Sequence, residues 1–579
     1  MTTGDGSPPP RSLAELRELD GPNLYFTRPA VKVTLSVPAW LEAPAERLSL
    51  LAQAAGLAGV GTERGPRVGP PGTDQRRRFV VRLAAHLTRT LAYEAGIELA
   101  VRSRPGIERD QVVVAFPWRR LNAARALGTE LAGLFDLLPG RRSLRKALKD
   151  ASTRLRRTEP GPAPQLPEPA VPVIMVTGTN GKTTTVRLLA HLVRSAGRSP
   201  AYSSTDGVYR DDEELIRSGD YSGFGGAGLV ISQPGIDVAV LEVARGGVLL
   251  RGIGAAHNDV AVVTNVSADH LGLQGIDTLD QLAEVKATIL RVTRRRGWDV
   301  LNADDPRVLA MRRVSRGRPW MVSLDPDHPA LRSALGAGGR GMTVIDGAMT
   351  MLVPGQDPHR LIALEIVPVT LAGISSHNIS NAMQAAAAAL AIGLPEAAVV
   401  KGLRTFVLDA ERNPGRINLF EVDGRIVVID YAHNEAGLMG LVEACRKLRP
   451  PGREIWLGVA SAGDRTTEIR HGMAYIGARG ADHVAVIELL KYLRGNSREV
   501  VVEDLRAGFI DGGAGPDVPV HVDELTAMKA MLAASGRGDV VAATVLAQRA
   551  ELFALMAEVG GRPVGPARLR RLVRRARGA

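Results

Sequence analysis

The residues most able to do chemistry lie in "VIMVTGTNGKTTTVRLL", 173–189, where an apolar run enters a Gly- and Thr-rich turn and a helical pattern leaves it. Gly178, Thr179, Asn180, Gly181, Lys182, Thr183 and Thr184 form the turn. Its glycines let backbone amides approach phosphate oxygens, and the helix that follows offers its positive N-terminus. Lys182 is placed to reach terminal phosphates, and the Thr183 hydroxyl to ligate Mg²⁺. The common phosphate loop has four residues between its first glycine and the Gly-Lys pair. Here only Thr179 and Asn180 intervene. Three further groups follow apolar runs of the same kind: Glu242 in "DVAVLEVARGG", His270 in "TNVSADHLG", and Lys286 on the next helical pattern, "LAEVKATIL". Each alone is ordinary surface chemistry. Converging beside a phosphate loop, they suggest a nucleotide and metal site.

The elements that must position these groups are short apolar runs alternating with helical patterns. "VPVIMVTG", "DVAVLEVA", "DVAVVTNV" and "WDVLNADD" read as strands buried on both faces, hence a parallel sheet with ligands at its carboxyl ends. A second series, "RIVVIDYAHN", "EIWLGVAS", "HVAVIEL" and "DVVAATV", predicts a smaller α/β domain from 414 to 579. Ahead of both, "AVKVTLSV" and "QVVVAFPW" alternate as half-buried strands, and 77–99 has helical spacing. The expected organisation is α/β: a small α+β domain over 1–138, a linker over 139–170 that starts charged and helical and ends Pro-rich, a central domain over 171–413, and the C-terminal domain.

Bulk properties exclude several classes. The chain has 579 residues and one cysteine, Cys445, so no internal disulfide framework is available. No signal-like stretch or 18-residue uncharged apolar span is evident, which implies a cytoplasmic protein away from membranes. The net charge of +12 is carried mainly by dispersed arginines with only 4% aromatic residues, a poor base-stacking surface. The terminal "RLRRLVRRARGA" reads as a solvated helix face or frayed tail, and nucleic acid is not the expected partner.

"TGTNGKTTT", "LEVARGG", "NVSADHLG", "AEVKA", "LNADDP", "SSHNISNAMQAAAA", "PGRINLF" and "VIDYAHN" resemble, in order, the Mur ligase family, and more closely the cyanophycin synthetases within it. The first domain, through "LDGPNLYFTRPAVKVTLSV", is similar to the opening of the latter. The resemblance implies a P-loop central domain, a Rossmann-like C-terminal domain, and ATP-dependent, ADP-forming amide synthesis through an acyl phosphate. It implies that Gly181, Lys182 and Thr183 hold the ATP phosphates and metal, that Glu242 and His270 ligate two Mg²⁺ ions, and that Lys286 is carbamylated. Asn378 and Asn381 would contact adenine; Arg416, Asp430 and His433 would reach the nucleotide from the third domain. The implied substrates are a peptide-like or amino-acid-derived acid and an amino acid.

The sequence also departs from that pattern. The stretch 139–172 stands where full cyanophycin synthetases carry an ATP-grasp domain and is far too short to be one. A separate ATP-grasp ligase is therefore an implied partner, with self-association an open alternative. On the substrate side Phe224 stands where proline is expected, Gln233 replaces an acidic residue, and Lys491 and Arg494 lie where acidic residues followed by arginines are expected. The competing readings are a catalytically idle nucleotide-binding scaffold and a ligase of peptidoglycan or poly-γ-glutamate type.

Overall fold

The computed structural model describes residues 10–58, 60, 67–137, 143–211, 214–269, 271–411 and 413–577. The chain forms two compact units, one of Met1–Pro169 with Gly223–Gly228 and Ala244–Ala256, the other of the remaining residues. The 138/139 boundary expected from the sequence lies outside the described residues.

In the first unit an antiparallel sheet runs in the order Leu13–Leu19, Ala30–Ser36, Gln111–Pro117, Arg102–Pro105. Three helices, Asp74–Glu94, Leu121–Leu137 and Leu144–Arg157, supply the other side of its core. The last of these begins the stretch read as a linker. Its Leu144, Ala147, Leu148, Ala151 and Leu155 are buried in that core, so the charged opening is a folded part of the unit. The Pro-rich 159–169 that follows lacks regular structure. The other two segments of this unit bring Phe224 under Arg251. The Arg251 guanidinium sits 4.4 Å over the Phe224 ring and pairs with Asp20.

The larger unit contains two sheets. The first has 11 strands centred on Val173–Thr177, which is parallel to Val238–Glu242 on one side and Asn258–Val263 on the other. Every residue of Val173–Thr177 and Val238–Glu242 is buried, as expected for continuous apolar runs between helical layers. Beyond Asn258–Val263 lie Thr293–Asn302, Arg318–Val322 and Arg340–Ile345, all parallel. Antiparallel hairpins finish both edges. Helix Ser376–Ala391 packs on this sheet through a fully buried run of alanines, Ala385 to Ala389, whose small side chains allow close approach.

The second sheet has seven strands. Val520–His521, His483–Ile487, Ile455–Ala460, Val540–Thr544 and Arg425–Asp430 are parallel, followed by antiparallel Asn418–Val422 and Arg562–Pro563. The basic C-terminal run is helical over Pro566–Ala576. Leu569, Leu572 and Val573 anchor it in the core, while Arg568 and Arg574 pair with Glu421 and Glu365. Cys445, on the helix Glu435–Leu448, is buried, and burial pushes its thiol up to about 12. No helix among the described residues is long and apolar enough to cross a membrane.

One cation is fully enclosed in the first unit. Arg76 donates to the carbonyls of Trp40, Leu41, Ala43, Val68 and Gly69, at 2.6 to 3.4 Å. Arg76→Met would leave these acceptors without their donor. At roughly 1–3 kcal/mol for each buried group left unsatisfied, the first unfolding transition in urea should move to clearly lower denaturant.

Candidate nucleotide and metal site

The phosphate loop leaves the central strand at Thr177 and enters the helix Lys182–Ser195. Gly181 occupies the N-cap in the left-handed region, φ +84°. A Cβ there would lie 2.3 Å from the Asn381 side-chain oxygen, and one at Gly178 would lie 1.8 Å from the Thr264 hydroxyl. Both glycines are therefore required by space as well as by backbone conformation.

Neighbouring strand ends hold the loop. The Thr179 N–H donates to the Asn265 carbonyl at 2.9 Å, and its hydroxyl exchanges bonds with the Ser267 backbone. The Asn180 N–H donates to Asn265 Oδ1 at 2.9 Å, while its carbonyl accepts from the Thr264 hydroxyl and Asn265 Nδ2 at 2.6 and 3.0 Å. Lys182 Nζ donates to the Thr179 carbonyl at 2.9 Å, so the lysine folds back over its own loop.

Glu242 ends the adjacent strand and is 2% exposed. Its Oε2 accepts from the Thr183 hydroxyl at 2.9 Å, whereas its Oε1 is buried with no hydrogen-bond partner among the described residues. Burial raises its carboxyl above the usual range, opposed by Lys182, Thr183 and Arg416. A buried carboxylate oxygen left bare costs free energy unless something cationic completes it. The Thr205 hydroxyl lies 3.4 Å from that of Thr183, adding another oxygen. This all-oxygen set suits a hard divalent cation such as Mg²⁺, which also takes ligands from phosphates and water. Among the described residues no cluster of three or more His, Cys, Asp or Glu side chains could hold a metal. A site of one carboxylate and hydroxyls would not form such a cluster. His270 lies outside the described residues.

Lys286, at the end of helix Leu279–Lys286, is 5% exposed and donates to the Gly178 carbonyl at 2.6 Å. Helix Ser376–Ala391 brings in Asn378 and Asn381. Both are buried, joined at 3.3 Å, and Asn381 lies against Gly181. Thr184 is buried, and its hydroxyl accepts from Asn413 at 3.4 Å.

The second sheet faces the loop with three of the expected residues. Arg416 lies 4.5 Å over the Tyr431 ring and acts electrostatically on both Glu242 and Asp430. Asp430 Oδ2 accepts from the Ile417 N–H at 2.8 Å, and burial raises its carboxyl while Arg416 opposes the rise. His433 bonds the Tyr431 carbonyl through Nδ1 at 3.0 Å, and its Nε2 lies 3.4 Å from Asp269.

Several residues here were not singled out in the sequence. Asp269 also pairs with Arg465 of the second sheet's loops at 3.2 Å. Asp206 bridges Arg187 at 3.0 Å and Arg549 at 3.3 Å. Asn434 meets Asn180 across the two sheets. Asn265, Asp269 and Asn434 sit inside the quoted motifs, so a signal existed. Arg187 also falls within the quoted 173–189 stretch, whereas Asp206, Arg465 and Arg549 carry none.

This geometry, a short glycine loop with a carboxylate from the neighbouring strand and a lysine from a nearby helix, agrees with comparison to known proteins. Residues 176–389 match the Mur ligase middle domain, and residues 415–544 the Mur ligase, glutamate ligase domain. The chain thus belongs to the Mur ligases, a family of ATP-dependent amide ligases, and carries their middle and C-terminal domains. It is 36% identical to the cyanophycin synthetase of Synechocystis sp. over 62% of its length and 41% of that protein's. The chain spans about two fifths of such relatives. It is 27% identical to the UDP-N-acetylmuramoyl-L-alanyl-D-glutamate–2,6-diaminopimelate ligase of Corynebacterium efficiens, over 63% of this chain and 67% of that one. The fold also matches E. coli FolC in complex with DHPP and ADP, with TM-score 0.50 and 20% identity over 68% and 90% of the two chains.

Gly181→Ala should weaken binding of a non-hydrolysable ATP analogue, measured by calorimetry, and also lower the thermal midpoint of the nucleotide-free chain. The added methyl must displace Asn381 and take a positive φ, a combined penalty of a few kcal/mol or about 100-fold in affinity.

Proposed function

We propose that this protein joins a carboxylic acid to an amine at the expense of ATP, releasing ADP and phosphate, with an amino acid as the amine and a peptide-like or amino-acid-derived acid as its partner. The observation that carries this reading is the buried Glu242 carboxylate, with one oxygen on Thr183 and the other bare, at the mouth of a loop whose lysine is in place. The acid's oxygen attacks the γ-phosphorus, the bond to the β-phosphate oxygen breaks, and ADP leaves an acyl phosphate. The amine nitrogen then attacks the acyl carbon, phosphate departs, and the amine gives up a proton.

Residues of this chain supply position and charge for those steps. Loop amides and the helix N-terminus cradle the phosphates, and Lys182, released from the Thr179 carbonyl, neutralises charge gathering on the transferred group. Thr183, Glu242, His270 and a carbamylated Lys286 would hold the Mg²⁺ ions. When bound, Mg²⁺ screens the phosphate charges and orients them. Asn378 and Asn381, with Asn381 against Gly181, would contact the adenine. Arg416, Asp430 and His433 reach the nucleotide from the C-terminal domain, so that closure keeps water from the acyl phosphate. With only a folded helix and a Pro-rich segment between the N-terminal and central domains, a separate ATP-grasp ligase supplying the acid is part of the proposal.

The test is ADP release by the purified chain over amino acids crossed with small acidic peptides, β-aspartyl compounds included. Release should require both partners; release with neither, or with no pair, would sink the reading. Lys286→Ala should lower turnover at least about 100-fold, as expected when a metal's ligand is removed. Short carboxylic acids should restore part of it; an undiminished variant would rule out a role for the carbamate.

A further inference from the structure

The side chains of Asn180 and Asn434 face each other as a closed amide pair. Asn180 Nδ2 donates to Asn434 Oδ1, and Asn434 Nδ2 donates to Asn180 Oδ1, each at 3.0 Å. Asn434 is fully buried. We propose that this pair is a positioning clasp through which the C-terminal domain holds the phosphate loop during turnover. The proposal rests on the ligase reading given above and adds residues to it.

Both halves of the clasp are rigidly mounted. On the loop side, the backbone N–H and carbonyl of Asn180 are already bonded to Asn265 and Thr264, so the side chain alone is left to reach outward. It also meets the Ser267 hydroxyl at 3.4 Å. On the other side Asn434 is the N-cap of helix Glu435–Leu448, its Oδ1 accepting from the Gly437 N–H at 2.9 Å. Its Nδ2 also lies 3.5 Å from His433 Nε2. The clasp therefore ties the start of one domain's helix, and the histidine beside it, to the turn that cradles the phosphates.

The choice of amides suits that place. Each carboxamide gives and accepts one hydrogen bond with no net charge, so nothing in the pair repels phosphate. A neutral pair is also easily exchanged for water, so it can open for nucleotide entry and close for chemistry. The flanking contacts between the same two domains, Asp206 with Arg549 and Asp269 with Arg465, are ionic and do not touch the loop's own residues. The amide pair, by contrast, takes hold of a loop side chain itself.

The experiment is a double-mutant cycle with Asn180→Ala and Asn434→Ser in the full chain. Serine retains the helix cap and removes the clasp. Each variant should lower kcat about tenfold and release more than one ADP per amide formed, because an incompletely closed site admits water. The double variant should be no worse than the poorer single, and nucleotide-free thermal midpoints should stay near wild type. Multiplying losses, or a wild-type kcat with one ADP per amide in either single variant, would overturn the clasp. If Asn434→Ser does not fold, Asn434→Thr, which also keeps the cap and lacks the carboxamide, completes the cycle under the same criteria. A wild-type chain that releases no ADP with any acid and amine fails the ligase reading instead; active variants indistinguishable from an active wild type fail only the clasp.

Discussion

A carboxylate held inside the protein with one oxygen bare is the constraint around which the head of the large sheet is arranged. Glu242 cannot be moved outward, because its strand is buried along its whole length and lies directly beside the strand that launches the loop. Burial favours its neutral form, yet Lys182, the Thr183 hydroxyl and Arg416 all favour the charged one. The surroundings thus store an unmet demand for positive charge at a single point. On the proposed ligase reading, the glycine turn, the helix N-terminus and the lysine are where the phosphates accompanying that charge would lie.

The route from this constraint to a reaction passes through division of labour. The central domain owns the loop, the carboxylate and Lys286. The C-terminal domain brings Asp430, His433 and Asn434 from the carboxyl end of Arg425–Asp430, and Arg416 from just ahead of the antiparallel Asn418–Val422. Open parallel sheets bind ligands at their carboxyl ends. Turning two such ends toward each other places all the polar machinery in one seam while the apolar layers remain separate cores.

Much of this was legible in the sequence, for a definite reason. Strands buried on both faces must be apolar throughout and must end where polar residues begin, so Val173–Thr177, Val238–Glu242 and Asn258–Val263 announced themselves along with the groups at their tips. The loop was legible because positive φ and lack of space admit only glycine. Residues that act through partners far away in the chain were not. Arg549 meets Asp206, and Arg465 meets Asp269, by virtue of how two domains face each other, which no local pattern encodes. The helix Leu144–Arg157 was partly misleading for a related cause. Its charged face reads as linker, while its five buried apolar side chains dock on elements far earlier in the chain. The expected substrate-side proline shows the same limit: Phe224 carries an arginine on its ring, a contact decided by residue 251.

The chain's one sulfhydryl has a practical meaning. Cys445 is sealed within the C-terminal core, and its thiol stays protonated across the physiological range. The folded protein therefore offers no thiolate to electrophiles or to disulfide exchange. A cysteine placed on its surface would be the sole reactive thiol, so spectroscopic labels could follow the two domains without first removing Cys445.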